Sequence, residues 1–216
     1  MIKAVIFDMD GLMVDSEPVH FKAYEQVLGE LGKTVPESDY AERYVGISDG
    51  DAAQDIVKRY HLPISAKELL TRKAAAFAKL LPGNVVPKEG LFDLLKDLRA
   101  HGYKTAVASG AMLPDIEKII ASLGLQDSFD ALCSAEQVAH GKPAPDVFLL
   151  AAQKLGVQPA ESLVLEDAPV GAQAAHAAGM KCYAIPSRET KGRSFNGATQ
   201  VLSSLNEVFA ALQQEK

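Results

Sequence analysis

Short apolar segments alternate with amphipathic helical patterns along most of this sequence. Four segments are aliphatic or β-branched and bounded by polar or turn residues, which is typical of buried strands. They are residues 4–7, 105–108, 163–165 and 182–185. Leucines and isoleucines at helical spacing lie between them, over residues 91–98 and 116–123. This alternation predicts an α/β fold with a doubly wound, Rossmann-like parallel sheet that is covered by helices on both faces.

One long stretch departs from the alternation. From about residue 17 to residue 81, the apolar residues follow only helical spacing, in three runs. We therefore expect a small helical cap domain inserted after the first strand. The predicted cap covers residues 16–82 and ends at the turn 82–84, and the predicted α/β core consists of residues 1–15 and 83–216.

The charge balance limits the partners that this chain can have. Its 28 acidic and 22 basic side chains give a net charge of −6, which argues against a nucleic acid or an anionic membrane surface. No apolar run approaches the ~18–20 residues that cross a bilayer, and the first residues lack the pattern of a signal peptide. We expect a cytoplasmic monomer. Cys133 and Cys182 lie far apart in apolar segments, which is typical of reduced core thiols.

Charged and small polar residues follow the predicted strands, where each strand ends. Asp8 and Asp10 come after the first strand, Ser109 and Gly110 after the second, and Glu166 and Asp167 after the third, while Lys142 lies in the loop before that third strand. Ligands bind at the carboxyl ends of the strands in an open parallel sheet. We therefore expect four carboxylates and one lysine to converge on one edge of the sheet.

Such a group of carboxylates is stable only with a cation or with shared protons. Two unit charges 4 Å apart repel by roughly 4 kcal/mol at an effective dielectric constant of 20. Ligands that offer only oxygen favour a hard ion, and Mg²⁺ fits when a phosphate completes its shell. Lys142 and Ser109 would bind phosphoryl oxygens, Gly110 would let backbone amides approach them, and the helix that begins near Pro114 would point its positive end at them. The pattern predicts Mg²⁺ and a small phosphorylated metabolite as ligands.

With these residues in view, the chain resembles the haloacid dehalogenase (HAD) superfamily over almost its whole length. Its four motifs are matched by residues 7–12, Phe-Asp-Met-Asp-Gly-Leu, residues 108–110, Ala-Ser-Gly, residues 141–143, Gly-Lys-Pro, and residues 165–167, Leu-Glu-Asp. The run 166–180 is typical of the subfamily that contains β-phosphoglucomutases and sugar-phosphate phosphatases. That subfamily carries a helical cap after the first motif, where the strand-free stretch lies here.

The resemblance implies a role for each of these residues. Asp8 would attack phosphorus and form an aspartyl-phosphate, and Asp10 would protonate the leaving oxygen and then activate water. Mg²⁺ would be held by Asp8, the backbone carbonyl of Asp10 and Asp167. Glu166 would be a further ligand, and Lys142 would offset the repulsion between phosphate and nucleophile.

The cap residues bear on which phosphoryl transfer the chain carries out. By resemblance, His20 and Lys73 match positions that handle substrate in β-phosphoglucomutase. The mutase also has a cap-loop arginine that grips the second phosphate, but residues 46–50 read Gly-Ile-Ser-Asp-Gly, and Asp49 would repel that phosphate. We therefore expect a phosphatase that acts on a sugar phosphate or a similar monoester, with a phosphosugar mutase as the alternative.

Three other classes are disfavoured. A dehalogenase displaces halide without protonating it, and its relatives usually lack an acid at the position of Asp10. A phospho-accepting receiver domain is about half as long and carries its acceptor after the third strand. A scaffold protein on the same fold would usually have lost the nucleophile, the acid, the lysine or a metal ligand, and none of these is missing.

Overall fold

A computed structural model describes residues 1–45, 47–81 and 84–214. The strands are β1 (Ala4–Phe7), β2 (Val14–Asp15), β3 (Val86–Pro87), β4 (Lys104–Ser109), β5 (Ala131–Ser134), β6 (Ser162–Glu166), β7 (Lys181–Ala184) and β8 (Gln200–Val201). Six of them form one sheet in the order β5-β4-β1-β6-β7-β8, and every neighbouring pair is parallel. The predicted α/β fold with a parallel sheet is confirmed.

Helices cover this sheet and form the cap. They are α1 (Glu17–Glu30), α2 (Glu37–Arg43), α3 (Asp49–Arg59), α4 (Ala66–Leu80), α5 (Leu91–Ala100), α6 (Leu113–Ser122), α7 (Asp146–Leu155), α8 (Pro169–Ala177) and α9 (Val208–Gln213). Among these, none combines the length and the apolar character that a bilayer-crossing helix needs.

The central strand β1 is buried on both of its faces. All four of its residues are fully buried, because successive side chains of a strand point to opposite faces and helices pack on each. Val5 and Phe7 belong to a core that includes α5, α6 and α9, whereas Ala4 and Ile6 pack with α7 and α8. Asp8 follows directly, so burial of β1 fixes the place where that side chain enters the site.

The stretch after β1 forms helices α1 to α4. Two of them begin with a serine whose hydroxyl accepts a hydrogen bond from a backbone amide of the first turn: Ser48 for α3 and Ser65 for α4. Helices α1 and α3 both pack against α4. The short antiparallel ribbon of β2 and β3 lies where the chain leaves the core and returns to it. The cap and core boundaries remain predictions, and Pro82 and Gly83 of the predicted exit turn lie outside the described residues.

Candidate active site

The Lys142 side chain joins two of the predicted acidic residues. Its ammonium nitrogen lies 2.5 Å from Asp8 Oδ1 and 2.6 Å from Glu166 Oε1. It also donates to the carbonyl oxygen of Ala108 at 3.2 Å and lies 4.8 Å from the ring centre of Phe148. All three charged side chains are buried, and Asp8 is only 7% exposed. Because the positive charge has two carboxylate partners away from water, the pKa of Lys142 is raised despite its burial.

Three carboxylates form a cluster beside this lysine. Oxygen atoms of Asp8, Glu166 and Asp167 all lie within 4.8 Å of one another. Burial raises the pKa of Asp8 to about 8, against the lowering effect of Lys142 and with a further rise from Glu166 and Asp10. Burial and the neighbouring Glu166 and Asp8 raise the pKa of Asp167 well above its ordinary value. A divalent cation would relieve this repulsion, and a set of oxygen ligands suits a hard ion.

Two glycines leave room for these carboxylates. A Cβ atom on Gly11 would lie 2.1 Å from Asp167 Oδ2, and Gly11 also has a φ of +82°. A Cβ atom on Gly171 would lie 1.7 Å from Glu166 Oε1. The backbone amide of Ala168 donates to the other Glu166 oxygen at 3.0 Å. Because neither glycine has a side chain, the carboxylates of Asp167 and Glu166 can lie close to the backbone.

Asp10 faces the same cleft but has different partners. Its Oδ1 accepts a hydrogen bond from the Ser16 hydroxyl and lies 3.3 Å from His20 Nε2, while Ser109 donates to its Oδ2 at 3.3 Å. Burial raises its pKa, but the hydrogen bond from His20, the His20 charge, the Ser16 hydrogen bond and the Lys73 charge together lower it to about 2. Of the four carboxylates expected to converge, three form the cluster and that of Asp10 is bound separately.

The predicted phosphate-binding loop lies at the end of β4. The Ser109 hydroxyl accepts a hydrogen bond from the amide of Ala111, and Ser109 and Gly110 both line the cleft. Helix α6 begins at Leu113, and its first amide donates to Glu136 Oε2 at 2.8 Å. The amide of Leu113 is therefore already bound by a carboxylate, and the expectation that the positive end of this helix points at the phosphate stays a prediction.

The two predicted cap residues differ in their surroundings. His20 lines the cleft and stacks on Phe77 with 4.3 Å between ring centres. The Lys73 ammonium binds both oxygens of Asp49, at 2.9 and 2.7 Å, and lies over the ring of Tyr24. Asp49 is thus paired with Lys73, and its expected repulsion of a second phosphate stays a prediction.

The cleft itself lies between the cap and the carboxyl edge of the sheet and encloses about 780 Å³, including its open mouth. Its core wall carries the residues predicted from the sequence. Its cap wall includes Glu17, Tyr24, Tyr40 and Tyr44, which the sequence did not single out. Glu17 lies three residues before His20, so the two side chains share a face of α1. This spacing is the sequence signal from which Glu17 could have been predicted to line the cleft.

The fold and the site define a capped α/β enzyme with its charged groups at the carboxyl edge of a parallel sheet. The profile of the haloacid dehalogenase-like hydrolase family matches residues 5–185. This chain belongs to that family, which confirms the family predicted from the motifs.

Individual relatives agree with this assignment. The fructose-1-phosphate phosphatase YqaB of Escherichia coli K12 is 40% identical over 82% of this chain and 92% of its own. Hexitol phosphatase B of the same organism is 34% identical, over 97% and 95% of the two chains. The crystal structure of CbbY from Rhodobacter sphaeroides in complex with phosphate superposes with a TM-score of 0.90 at 28% identity, covering 96% of each chain.

Proposed function

We propose that this chain is a Mg²⁺-dependent phosphatase that hydrolyses a small phosphomonoester, a sugar or sugar-alcohol phosphate, through an aspartyl-phosphate on Asp8. The observation that carries this proposal is the contact of 2.5 Å between the Lys142 ammonium and Asp8, beside the cluster of Asp8, Glu166 and Asp167. A carboxylate nucleophile and a phosphate dianion repel each other. A fixed buried cation and a bound divalent ion both offset that repulsion.

Asp8 is the proposed nucleophile and Lys142 the proposed phosphate ligand. Lys142 already holds Asp8 Oδ1 in place, and the same ammonium group can donate to a phosphoryl oxygen that approaches Asp8. Asp8, Glu166 and Asp167 would hold Mg²⁺, which supplies further positive charge next to the phosphoryl group. Ser109 and Gly110 would bind the remaining phosphoryl oxygens from the end of β4.

Asp10 is the proposed acid and base. Its pKa of about 2 keeps it ionised in the free protein, which suits it to accept a proton from the water that hydrolyses the aspartyl-phosphate. An incoming phosphate dianion brings negative charge close to this carboxylate and raises its pKa. Asp10 can then take up a proton from solvent and donate it to the leaving oxygen.

The substrate class rests on the relatives and on the cap. Both curated relatives described above are named as phosphatases of a sugar phosphate or a hexitol phosphate. A mutase must hold a second phosphate, and the ammonium of Lys73 is bound to Asp49 instead. We therefore favour a phosphatase over a mutase and place it in the cytoplasm, where such metabolites are found.

Phosphate release tests the proposal. Purified protein should release phosphate from fructose 1-phosphate and from p-nitrophenyl phosphate with MgCl₂, and EDTA should stop both reactions. Asp8→Asn should remove nearly all turnover, and Asp10→Asn should cost roughly 10²–10⁴-fold. Asp127→Asn, at an exposed position in the loop after α6, is the matched control and should behave as the wild type.

Two outcomes would contradict the proposal. Undiminished turnover in Asp8→Asn would exclude this aspartate as the nucleophile. Formation of glucose 6-phosphate from β-glucose 1-phosphate with a bisphosphate primer, and no free phosphate, would show a mutase.

A further inference from the structure

Glu17 provides a hydrogen-bond acceptor on the cap wall of the cleft. It is the first residue of α1, and its Oε2 accepts a hydrogen bond from the Tyr40 hydroxyl at 3.2 Å. Its other oxygen, Oε1, makes no hydrogen bond with the part of the chain that the structure describes. Glu17 and Tyr40 both line the cleft. A carboxylate oxygen in this position is suited to accept a hydrogen bond from a ligand hydroxyl.

Two buried polar atoms on the same wall also lack a partner. His20 Nδ1 and the Tyr24 hydroxyl have no hydrogen-bond partner within 3.5 Å among the described residues, although the Asp49 carboxylate lies near the Tyr24 hydroxyl. The two residues are 6% and 1% exposed, and both line the cleft. Buried polar side-chain atoms are nearly always hydrogen-bonded in folded proteins. An atom of this kind beside the cleft is suited to form a hydrogen bond with a polar group of a ligand.

The charge of the cap wall determines which kind of polar ligand group can bind there. Among the described residues that line the cleft, none from the cap is a lysine or an arginine, whereas Glu17 and Asp49 are both acidic. The ammonium of Lys73 in the cap is bound to Asp49. A second phosphate or a carboxylate on the substrate would meet this wall without a cation to bind it. Above the pKa of about 7 that burial gives Glu17, such a group would also be repelled by Glu17. A neutral hydroxyl group can donate to Glu17 and accept from Tyr24.

We propose that Glu17 is the specificity-determining residue of the cap, and that with His20 and Tyr24 it binds hydroxyl groups of the leaving alcohol. This subsite selects a neutral, polyhydroxylated carbon chain that carries a single phosphate, and it rejects substrates with a second anionic group. The inference rests on the proposed function, since a leaving alcohol exists only if the phosphoryl group is transferred to Asp8.

The ratio of two kcat/KM values tests the hydroxyl contact. Fructose 1-phosphate has a polyhydroxylated leaving group, and p-nitrophenyl phosphate has none. With MgCl₂, Glu17→Ala should lower kcat/KM for fructose 1-phosphate about tenfold or more relative to that for p-nitrophenyl phosphate, chiefly through KM, because a hydrogen bond to a charged group is lost. Glu25→Gln, at an exposed position on the same helix, should leave the ratio as in the wild type.

A bisphosphate tests the charge selection. At pH 8, where Glu17 is ionised, wild-type protein should have a kcat/KM for fructose 1,6-bisphosphate about tenfold below that for fructose 1-phosphate. Glu17→Gln keeps the shape of the side chain and removes its charge, so it should reduce this difference in kcat/KM. Tyr24→Phe removes one hydroxyl from a buried ring and should also lower kcat/KM for fructose 1-phosphate relative to that for p-nitrophenyl phosphate. This variant tests the hydroxyl contact if Glu17→Ala fails to fold.

The two hypotheses fail in different ways. If wild-type protein releases phosphate from neither substrate in the presence of MgCl₂, the proposed function is wrong. If the wild type hydrolyses both substrates and folded Glu17→Ala and Tyr24→Phe change both kcat/KM values by the same factor, the proposed function stands and the hydroxyl subsite is overturned. An unchanged preference against the bisphosphate in Glu17→Gln would likewise overturn the charge selection.

Discussion

The Lys73 ammonium lies 2.9 and 2.7 Å from the two carboxylate oxygens of Asp49, and the lysine side chain is only 1% exposed. This ion pair joins the first turn of α3 to the middle of α4 inside the cap. It also explains how an acidic residue can occupy the cap loop without leaving an uncompensated charge at the cleft.

Removal of Lys73 should therefore destabilise the protein through Asp49. Lys73→Met leaves a largely buried carboxylate without its counter-charge, at a cost of about 3 kcal/mol. Asp49→Asn should be destabilising because it leaves the Lys73 ammonium without its counter-charge. The double variant, Lys73→Met with Asp49→Asn, should lose clearly less unfolding free energy than the sum of the two single losses. Urea unfolding of all four proteins measures this coupling, and strictly additive free energies would show that the pair contributes nothing.

Gly171 should be essential because Glu166 occupies the space of its missing side chain. Gly171→Ala would place a methyl group 1.7 Å from Glu166 Oε1 and move that carboxylate out of the cluster. Mg²⁺ affinity, measured by calorimetry, should fall roughly 10–100-fold. Gly29→Ala is the matched control, because its Cβ would have no atom within 4 Å and α1 should gain about 0.5 kcal/mol. Equal Mg²⁺ affinity in both variants would contradict the placement of Glu166.

Mg²⁺ should stabilise the wild-type protein against heat, since it relieves repulsion within the cluster of Asp8, Glu166 and Asp167. Asp167→Asn removes one of the mutually repelling charges. At pH 8 without Mg²⁺ this variant should melt about 2–4 °C above the wild type, for a gain of about 1 kcal/mol. Added MgCl₂ should raise its Tm much less than that of the wild type. Thermal melts with MgCl₂ and with EDTA test both expectations, and an equal response to MgCl₂ would argue against Asp167 as a ligand.

The stability contributed by Glu17 should depend on pH. Burial raises the pKa of Glu17 from its ordinary value of 4.5 to about 7. The His20 charge lowers this pKa and the Asp10 charge raises it. Between these values the folded protein binds more protons than the unfolded chain, so this group lowers stability as the pH rises. Glu17→Gln should therefore be more stable than the wild type at pH 8, by less than about 3 kcal/mol, and should lose that advantage near pH 4.5. A constant difference in unfolding free energy across this range would exclude the raised pKa.

The core of the fold could be predicted because the central residues of its main strands are apolar and buried. The segment 4–7 matches β1 at both ends, since all four side chains are buried and Asp8 follows. Strand β5 was missed because half of its short length is only partly buried. Helix α2 was missed because Tyr40 is its one buried residue. Helix α7 was missed because its apolar residues are nearly continuous and lack a clear helical period.

The site divides in the same way between core and cap. Asp8, Glu166 and Asp167 could be predicted to meet because the ends of parallel strands fix their positions. The pairing of Lys73 with Asp49, and the place of Glu17 beside Tyr40, depend on how the cap helices pack. No local pattern in the sequence encodes those contacts, so the cap wall became visible only in the folded chain.

The cap lies close against the core at two glycines. A Cβ atom on Gly110 would be 3.7 Å from Ser48 Cα, and one on Gly141 would be 3.7 Å from Ser48 Cβ. Ser48 therefore packs against both loops and narrows the approach to the phosphate-binding residues from this side. We therefore expect the site to hydrolyse free phosphate esters much faster than a phosphoserine held in a folded protein.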